Sequence, residues 1–341
     1  MSEFFKNKSI LVTGACGTVG SEIISILSNL KHGSSRVIGV DNNENAIFHY
    51  ENLYSEDAMV SFRLADIRES EDIIPIMRGT DIVIHAAAYK HVMLSEISPN
   101  QFIQTNVNGL QNMIRCAAET EIDVFINTSS DKAVNPTNIM GVTKLLGEKL
   151  VTTANQQIGT TVFASTRFGN VLGSAGSVFP IFLSQIKEGK PLTLTSKDMT
   201  RFVMSINQAA QLVLDSATIA HGGEIFVTKM PVINILDLAQ SMIDELSNEY
   251  GRDPEDLYIS EIGVKQGEKM FEELMNQEET RRTIELDNYY VILPPFVEEE
   301  VKQNYENIIS HEVEIPYNSQ DENKLSESEI KILLKDYGLL N

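Results

Sequence analysis

The residues of this chain that could support chemistry lie in three polar segments, residues 85–91 (HAAAYKH), 128–132 (TSSDK) and 140–144 (MGVTK). In the second segment, Asp131 and Lys132 place a carboxyl group beside an amine, and such groups can donate and accept protons in catalysis. Met140 and Lys144 are four residues apart, so they share one face of a predicted helix. These segments can act on one ligand only if the fold brings them together.

Short β-branched runs alternate with amphipathic helical stretches through the first half of the chain. We predict strands at residues 10–12, 37–40, 61–64, 82–84, 124–126 and 161–165, and helices at residues 21–30, 44–53, 101–119 and 138–154. This alternation implies right-handed crossovers and a parallel, doubly wound sheet of the α/β class. Such sheets bind ligands at the carboxyl ends of their strands, where the three polar segments are expected to meet.

Residues 13–20 (TGACGTVG) connect the first predicted strand to the first predicted helix. Gly14 permits a tight turn, Gly17 lets the backbone approach a pyrophosphate, and Gly20 allows close packing of helix and strand. The unpaired amides at the helix start, those of Thr18 and Val19, then face the phosphates. A glycine pattern in this position predicts a dinucleotide-binding, Rossmann-type domain.

Two carboxylates are expected to bind the nucleoside part of the dinucleotide. Asp41 ends the second strand, where it can accept hydrogen bonds from a ribose and would repel a 2′-phosphate, so NAD is favoured over NADP. Asn42 follows it. Asp66 and Ile67 follow the third strand, where an adenine contact is expected. Capping of a following helix is the alternative for both carboxylates.

The second half of the chain predicts a smaller α+β lobe. We expect a helix at residues 203–220, a strand at 224–227 that returns to the sheet, and further elements at 233–246, 257–262 and 268–274. Residues 1–170 would then form the NAD-binding domain, completed by about residues 202–228. Residues 171–201 and 229–341 would form a substrate-binding lobe and a C-terminal tail.

Composition excludes several classes of partner and site. The chain has 341 residues and a net charge of −21, and an acidic surface repels nucleic acid and anionic membranes. The two cysteines form no CxxC pair and have no metal spacing, which favours a reducing compartment and no metal site. No apolar run is long enough to span a bilayer, and the first residues lack the apolar stretch of a secretory signal. We therefore expect a cytoplasmic protein.

Four segments of the chain resemble those of a known enzyme family. The segments HAAAYKHV, SSDKAVNPTNIMGVTK, TRFGNVLGSAGSV and DMTRFVM are similar to those of UDP-N-acetylglucosamine 4,6-dehydratases, which are extended short-chain dehydrogenase/reductase enzymes of glycan biosynthesis. The resemblance covers roughly residues 8–275. It implies that Asp131 and Lys132 are the catalytic acid and base, that Ser130 occupies a Ser/Thr position, and that Lys144 holds the nicotinamide ribose.

One position departs from many relatives of this type. They carry YxxxK, whereas Met140 stands in place of the tyrosine here, and a thioether cannot take a proton from a hydroxyl group. Ordinary alcohol oxidation by a tyrosine is therefore not expected. One branch of the dehydratase family also carries MxxxK, and resemblance to that branch implies retention of configuration at C5.

The small residues Ala86, Ala87 and Ala88 are expected to let the cofactor lie close to the backbone, and Thr128 is expected to contact it. Lys90 is expected to touch both cofactor and sugar. His91 either contacts the sugar or only caps a helix and lines the cleft.

The expected chemistry is an internal redox cycle that releases one water. Oxidation at C4 acidifies the C5 hydrogen, Lys132 removes that proton as a base, and Asp131 protonates the departing C6 hydroxyl. Lys132 must be neutral for this role, and burial near the cationic nicotinamide could lower its pKa. The group that accepts the C4 hydroxyl proton stays open between Lys144 and a water relayed by Ser130. Taken alone, the Asp–Lys pair could instead be a surface ion pair.

Four residues beyond the nucleotide domain are predicted to bind the UDP-sugar. Asn170 offers a donor and an acceptor, and Arg201 offers a fork of donors for a diphosphate. Resemblance to the family also places Glu268 and Lys269 beside the nucleotide. The alternatives are an ion pair between Arg201 and Asp198, and charges at a helix start for Glu268 and Lys269.

The sequence therefore predicts a lyase that dehydrates UDP-N-acetylglucosamine and acts as a homo-oligomer. The nearer rivals are an inverting 4,6-dehydratase and a UDP-sugar 4-epimerase. A rival of another class is a non-catalytic protein that binds NAD or a nucleotide sugar, which the missing tyrosine would explain.

Overall fold

The computed structural model describes residues 2–30, 36–264, 267–295 and 304–340. The chain forms two compact units. The first comprises Met1–Phe168, Asn207–Thr228 and Met275–Pro316, and the second comprises Gly169–Ile206, Lys229–Leu274 and Tyr317–Asn341.

The helices and strands follow the chain in this order. The strands are β1 (Ser9–Thr13), β2 (Arg36–Asp41), β3 (Val60–Leu64), β4 (Ile82–His85), β5 (Val124–Ser130), β6 (Val162–Phe168), β7 (Asn170–Val171), β8 (Leu192–Leu194), β9 (Thr200–Met204), β10 (Ile225–Thr228), β11 (Val232–Asn234), β12 (Ile259–Glu261), β13 (Glu273–Met275), β14 (Thr283–Leu286), β15 (Tyr289–Ile292), β16 (Ile308–Ser310) and β17 (Tyr317–Asn318). The α-helices are α1 (Ser2–Phe5), α2 (Thr18–Ser28), α3 (Glu44–Leu53), α4 (Ser70–Met77), α5 (Val92–Ile97), α6 (Pro99–Phe102), α7 (Leu110–Thr120), α8 (Ile139–Ile158), α9 (Val178–Glu188), α10 (Ile206–Ile219), α11 (Ile235–Leu246), α12 (Gln277–Thr280) and α13 (Glu327–Asp336).

The first unit contains a ten-stranded sheet in the order β16-β14-β15-β10-β6-β5-β4-β1-β2-β3. The strands from β10 to β3 in this order pair in parallel, which confirms the predicted doubly wound sheet. The register aligns Thr13 of β1 with His85 of β4, and His85 with Asn127 of β5. The carboxyl ends of these strands therefore meet at one edge, as a ligand site there requires.

The sheet of the first unit is buried on both faces. Successive side chains of a strand point to opposite faces, so each strand contributes apolar residues to two clusters. On β1, Ile10 and Val12 pack into one cluster with Ile23 and Leu27 of α2. Leu11, between them, packs into the other cluster with residues of β4, β5 and α7. This is why the strands read as continuous apolar runs rather than as alternating ones.

Two sequence predictions about this sheet were wrong. Residues 203–220 are not one helix, because Val203 and Met204 complete β9 and α10 begins at Ile206. Residues 275–316 belong to the first unit rather than to the substrate lobe, since β14, β15 and β16 extend the sheet in antiparallel pairing beyond β10. Apolar spacing predicts that such strands exist but does not state which sheet edge they join.

The predicted helix at 101–119 is not α-helical throughout. Residues Ile103–Gly109 form a π-helical segment between α6 and α7. Segments of this kind are rare and occur frequently at functional sites. Its buried residues include Thr105 and Asn106.

The second unit is the smaller α+β lobe that the sequence predicts. Its strands form the sheet β11-β9-β7 and the pair β12-β8, and β13 pairs with β17. Its core joins Phe182 of α9, Leu238 and Met242 of α11, and Leu334 of α13. Within the described parts of the chain, no helix is long and apolar enough to cross a membrane.

Candidate active site

The glycine loop after β1 packs directly against the end of β4. Gly14 has φ +63°, and a Cβ atom there would lie 2.7 Å from the amide nitrogen of Ala87. A Cβ atom at Gly20 would lie 2.2 Å from the carbonyl oxygen of Gly14. Neither position accepts a side chain without displacement of backbone, so the loop forms the close-fitting backbone cradle that the sequence predicts.

Helix α2 begins in this cradle with its amides available to a ligand. Its N-cap residue, Gly17, is extended, and no side chain of the described residues caps the helix. The amides of Thr18 and Val19, in the first turn, therefore have no intrahelical or side-chain partner. Together with the helix dipole they make a site for an anion such as a pyrophosphate.

Asp41 connects the end of β2 to the glycine loop. Its Oδ2 accepts a hydrogen bond from the amide of Cys16 at 3.1 Å, and its Oδ1 accepts one from the amide of Asn43 at 3.0 Å. The cap of α3 is Asn43, whose Oδ1 accepts the amide of Ala46, so the capping alternative for Asp41 is wrong. The carboxylate lies on the cleft, where it can also accept a ribose hydroxyl.

Asp66 is held by an arginine that the sequence analysis did not single out. Arg68 donates to both of its oxygens, from Nε to Oδ1 at 2.9 Å and from Nη2 to Oδ2 at 2.6 Å. These side-chain hydrogen bonds lower the pKa of Asp66 to about 2, so the carboxylate is ionised at neutral pH. Asn42 also donates to it at 3.3 Å. Because the N-cap of α4 is Glu69, Asp66 does not cap that helix.

A cleft runs along the carboxyl ends of β1 to β4, within the first unit. Eight of the predicted cofactor residues line it: Gly14, Gly17, Asp41, Asn42, Asp66, Ile67, Ala86 and Ala87. Ala88, the third of the predicted small residues, also lines it, as do four residues that the sequence analysis did not single out: Val40, Ala65, Tyr89 and Thr105.

Two polar residues of the π-helical segment contribute to this cleft. The hydroxyl of Thr105 is buried and has no hydrogen-bond partner among the described residues, so a ligand atom in the cleft can supply one. Asn106 binds the backbone of Tyr89 from both sides, accepting from its amide at 2.8 Å and donating to its carbonyl at 3.0 Å. A polar Thr–Asn pair in the middle of a predicted helix was the signal that could have pointed to these residues.

The predicted acid and base, Asp131 and Lys132, lie directly after β5, in a 3-10 turn formed by Asp131–Ala133. A strand would point adjacent side chains in opposite directions, but this turn brings them together. Nζ of Lys132 lies 3.0 Å from Oδ2 of Asp131. Ser130 donates to Oδ1 of the same carboxylate at 2.6 Å. The Asp131 side chain is 3% exposed and that of Lys132 is 30% exposed, so the carboxylate is buried and the lysine is accessible to a ligand.

Helix α8 places the methionine and the lysine of MxxxK beside the end of β5. Nζ of Lys144 donates to the carbonyl of Thr128 at 2.8 Å. Burial lowers the pKa of Lys144 to about 8, although the Glu148 carboxylate acts in the opposite direction. Met140 is buried, and its amide donates to Ser95 Oγ of α5 at 3.2 Å.

Lys90 and His91 lie on the surface between β4 and α5. Partial burial and, to a smaller extent, the Lys132 ammonium lower the pKa of Lys90. His91 is the N-cap residue of α5 but makes no side-chain cap. The capping alternative for its imidazole is therefore wrong, and its contact with a sugar stays a prediction.

The second unit places two of the predicted substrate residues, Asn170 and Arg201, around the buried carboxylate of Glu272. Asn170 Nδ2 donates to both Glu272 oxygens at 2.8 Å, and Arg201 Nε lies 3.3 Å from Oε1. Arg201 also donates to the carbonyls of Thr200 and Lys269, at 2.8 and 2.9 Å. Its role as a diphosphate clamp stays a prediction, and it would require exchange of some of these bonds.

Two alternatives for the second unit are wrong. Among the described residues, the ion-pair partners of Arg201 are Glu272 and, at 3.7 Å, Glu268 rather than Asp198. No helix begins at Glu268 or Lys269 in the part of the chain that the structure describes. Glu268 accepts a bond from Thr195 at 3.2 Å, and Lys269 pairs with Glu273 at 2.9 Å.

Comparison with known proteins gives a consistent family. The sequence pattern that defines the polysaccharide biosynthesis protein family matches residues 10–294. An uncharacterised membrane protein of Methanocaldococcus jannaschii is 44% identical over 100% of this chain and 99% of its own. The solved structure of Pen from Bacillus thuringiensis is 38% identical, with a TM-score of 0.90 over 99% of this chain and 100% of that one.

Two relatives with named activities are equally similar to the chain. A Campylobacter jejuni protein named UDP-N-acetylglucosamine 4,6-dehydratase (inverting) is 38% identical over 85% of this chain and 84% of its own. A Rickettsia massiliae protein named UDP-glucose 4-epimerase is 38% identical over 84% of this chain and 83% of its own. The choice between these activities therefore depends on the chemistry of the site.

Proposed function

Since the chain belongs to the polysaccharide biosynthesis protein family, we propose that it is an NAD-dependent 4,6-dehydratase of UDP-N-acetylglucosamine. The observation that carries the proposal is the Asp131–Lys132 pair, held beside a dinucleotide-type cleft by a 3-10 turn. Elimination of a hydroxyl group needs an acid and a base on one substrate, and this pair supplies both.

The cleft fits NAD on three counts. The glycine cradle excludes Cβ atoms, the start of α2 offers uncapped amides, and Asp41 disfavours a 2′-phosphate. When bound, the nicotinamide would take a hydride from sugar C4 and return it to C6. The protein would hold the dinucleotide through the glycine loop, Asp41 and the hydroxyl of Thr105.

The hydrogen bond within the acid–base pair can prepare it for elimination. In water, Asp131 would be a carboxylate and Lys132 an ammonium, which are the opposite of the required states. Removal of water by a bound substrate disfavours both charges, so one proton can move from Nζ to the carboxylate across this contact. The products are a neutral amine that can take the C5 proton and a carboxylic acid that can protonate the C6 hydroxyl.

The geometry of the chemical groups favours dehydration over epimerisation. An epimerase needs to move a proton and a hydride at C4 only, and it has no use for an acid at C6. Ser130 and Lys132 both bind the Asp131 carboxylate, which ties an acid to a base in the manner that elimination needs. UDP-sugar 4-epimerisation remains the rival, since a relative with that name is as similar as the dehydratase.

The remaining features of the proposal come from sequence resemblance and from relatives. We propose that Lys90, His91, Asn170, Arg201, Glu268 and Lys269 contact the UDP-sugar. Retention at C5 is expected from the MxxxK branch, whereas the name of the Campylobacter jejuni relative favours inversion. A homo-oligomer in the cytoplasm stays a prediction.

The test is incubation of the protein with NAD+ and UDP-N-acetylglucosamine, followed by mass spectrometry of the nucleotide sugar. We expect a product that is lighter by one water, with one solvent deuterium at C5 when the reaction is run in D2O. A change of sugar without a change of mass would identify an epimerase. Binding without turnover across a panel of UDP-hexoses would identify a non-catalytic protein. NMR of the product would then give the configuration at C5.

A further inference from the structure

With methionine in place of the usual tyrosine, the group that takes the C4 hydroxyl proton needs to be identified. The amine of Lys144 is partly buried, and its one hydrogen bond among the described residues is donated to the Thr128 carbonyl. Thr128 directly precedes the segment that carries Ser130 and the acid–base pair. The amine therefore lies at the same sheet edge as those groups.

Glu148, the carboxylate one helical turn from this amine, is bound by other residues. Glu148 follows Lys144 by one helical turn and is fully buried. Its Oε1 accepts Ser129 Oγ at 2.6 Å and Arg167 Nε at 3.0 Å, and its Oε2 accepts Arg167 Nη2 at 2.6 Å. Within the described residues, no carboxylate lies within ion-pair distance of Lys144.

Arg167 is itself anchored on its other side. Its Nη1 and Nη2 donate to the two oxygens of Glu279, at 3.1 and 3.0 Å, and Glu279 forms a capping box with Asn276 at the start of α12. Arg167 is fully buried and spans both carboxylates. The arrangement fixes Glu148 in an ion pair with Arg167 rather than with Lys144.

We propose that Lys144 is the base that accepts the C4 hydroxyl proton, and that Arg167 is a positioning residue that withholds the Glu148 carboxylate from it. The inference rests on the dehydratase function proposed above and adds a role for this side chain. Lys144 would then replace the missing tyrosine, in addition to holding the ribose.

In the proposed step, the Nζ lone pair of Lys144 takes the proton of the C4 hydroxyl, so one O–H bond breaks and one N–H bond forms. The C4–H bond would break with its electron pair, for which the dinucleotide, when bound, would be the hydride acceptor, and C4 would become a ketone carbon. At the end of the cycle Lys144 has gained the one proton that Asp131 has lost to the departing water, so exchange with solvent resets both.

Other charged groups do not oppose this role. His85 of β4 is buried, and this burial together with the Lys144 ammonium lowers its pKa to about 3, so it is neutral. Its Nδ1 is hydrogen-bonded to Thr13 at 2.8 Å. Burial lowers the pKa of Lys144 to about 8, while Glu148 raises it, so near neutral pH the neutral form is a minor one but far more populated than in an ordinary lysine.

The test compares Lys144→Arg with the wild-type enzyme. Arginine keeps a positive donor for the Thr128 carbonyl and the ribose but cannot be deprotonated in a protein. We expect the variant to bind NAD+ with the wild-type stoichiometry and to form reduced nicotinamide from UDP-N-acetylglucosamine at least about 100-fold more slowly. Lys149→Arg, on an exposed part of the same helix, is the matched control and should behave as wild type.

A measurement without turnover complements the kinetics. Lysine side chains labelled by reductive 13C-methylation give one NMR signal each, and the signal absent from Lys144→Arg is that of Lys144. We expect it to titrate near pH 8 rather than near the ordinary lysine value. A Lys144→Arg enzyme within fivefold of the wild-type rate, or titration near the ordinary value, would overturn the inference. A wild-type enzyme that dehydrates no UDP-hexosamine would instead reject the proposed function.

Discussion

Nζ of Lys132 lies 3.0 Å from Oδ2 of Asp131, although the two residues are adjacent in the sequence. The 3-10 turn that follows β5 produces this contact, and Ser130 fixes the carboxylate from the other side at 2.6 Å. One substrate can therefore meet an acid and a base that the chain places side by side.

The first prediction separates these two roles. Lys132→Ala should slow dehydration by about 100-fold or more because the base is lost. NAD+ binding should persist because Lys132 does not line the cofactor cleft. The substitution should also abolish exchange of the C5 hydrogen with D2O. Asp131→Asn should remove the acid, and loss of the neighbouring negative charge should favour the neutral amine of Lys132. The dehydrated product should therefore disappear while C5 exchange remains measurable by mass spectrometry. Full activity in either variant would remove that residue from the mechanism.

The second prediction concerns the glycine loop. Gly20→Ala should destabilise the fold by roughly 1–3 kcal/mol, since its Cβ would lie 2.2 Å from a backbone oxygen. Gly17→Ala should unfold at nearly the wild-type temperature, because its Cβ meets only the Gly14 oxygen at 3.1 Å. It should nevertheless weaken NAD+ binding, because the side chain would project where the pyrophosphate approaches. Thermal unfolding with and without NAD+ measures both effects, and equal unfolding temperatures for the two variants would contradict the packing argument.

The third prediction is a pH dependence. Because the pKa of Lys144 is lowered to about 8, its neutral fraction rises as pH increases through that value. The rate of nicotinamide reduction should therefore rise with pH below about 8 and level off above it. Glu148→Gln removes the charge that raises this pKa, so the acidic limb should move to lower pH.

Single-turnover absorbance across a pH series measures the position of that limb. Circular dichroism and NAD+ binding at each pH establish that the variant is folded. A folded Glu148→Gln enzyme with an unmoved limb would mean that Glu148 does not act on Lys144.

The fourth prediction concerns the buried hydroxyl of Thr105. Thr105→Val keeps the shape of the side chain but removes the donor that has no partner among the described residues. The Kd for NAD+ should rise about fivefold, which corresponds to one neutral hydrogen bond of about 1 kcal/mol. The unfolding temperature without NAD+ should not fall, and Thr105→Ser should bind nearly as the wild type. Calorimetric titration distinguishes these outcomes, and an unchanged Kd in Thr105→Val would exclude a bond to the dinucleotide.

The fifth prediction concerns the choice of dinucleotide. Asp41→Ser removes the carboxylate at the end of β2, so its repulsion of a 2′-phosphate is lost. NADP+ should then bind more tightly than it does to the wild type, while NAD+ should bind less tightly because a ribose acceptor is lost. Competition titrations of both dinucleotides measure this selectivity. The same ratio of Kd values for NAD+ and NADP+ in both enzymes would show that Asp41 does not face the ribose.

Sequence patterns were informative where the physics is local. The spacing of Gly14, Gly17 and Gly20 predicted the loop because each position is restricted by backbone conformation or by contact with a neighbouring turn. The parallel sheet followed from apolar runs that alternate with helical stretches. The sequence predicted Asp131 and Lys132 as an acid and a base, whereas the contact between their side chains depends on the 3-10 turn after β5.

By itself, the sequence determined the nucleotide-binding half of the sheet, the phosphate cradle and the candidate acid and base, since these depend on residues close together in the chain. Only the tertiary structure decided that residues 275–316 extend that sheet, that Thr105 lines the cleft with a buried hydroxyl, and that Arg167 holds Glu148. The physical reason is that strand register and helix rotation bring distant residues into contact. Periodicity along the chain carries no record of either.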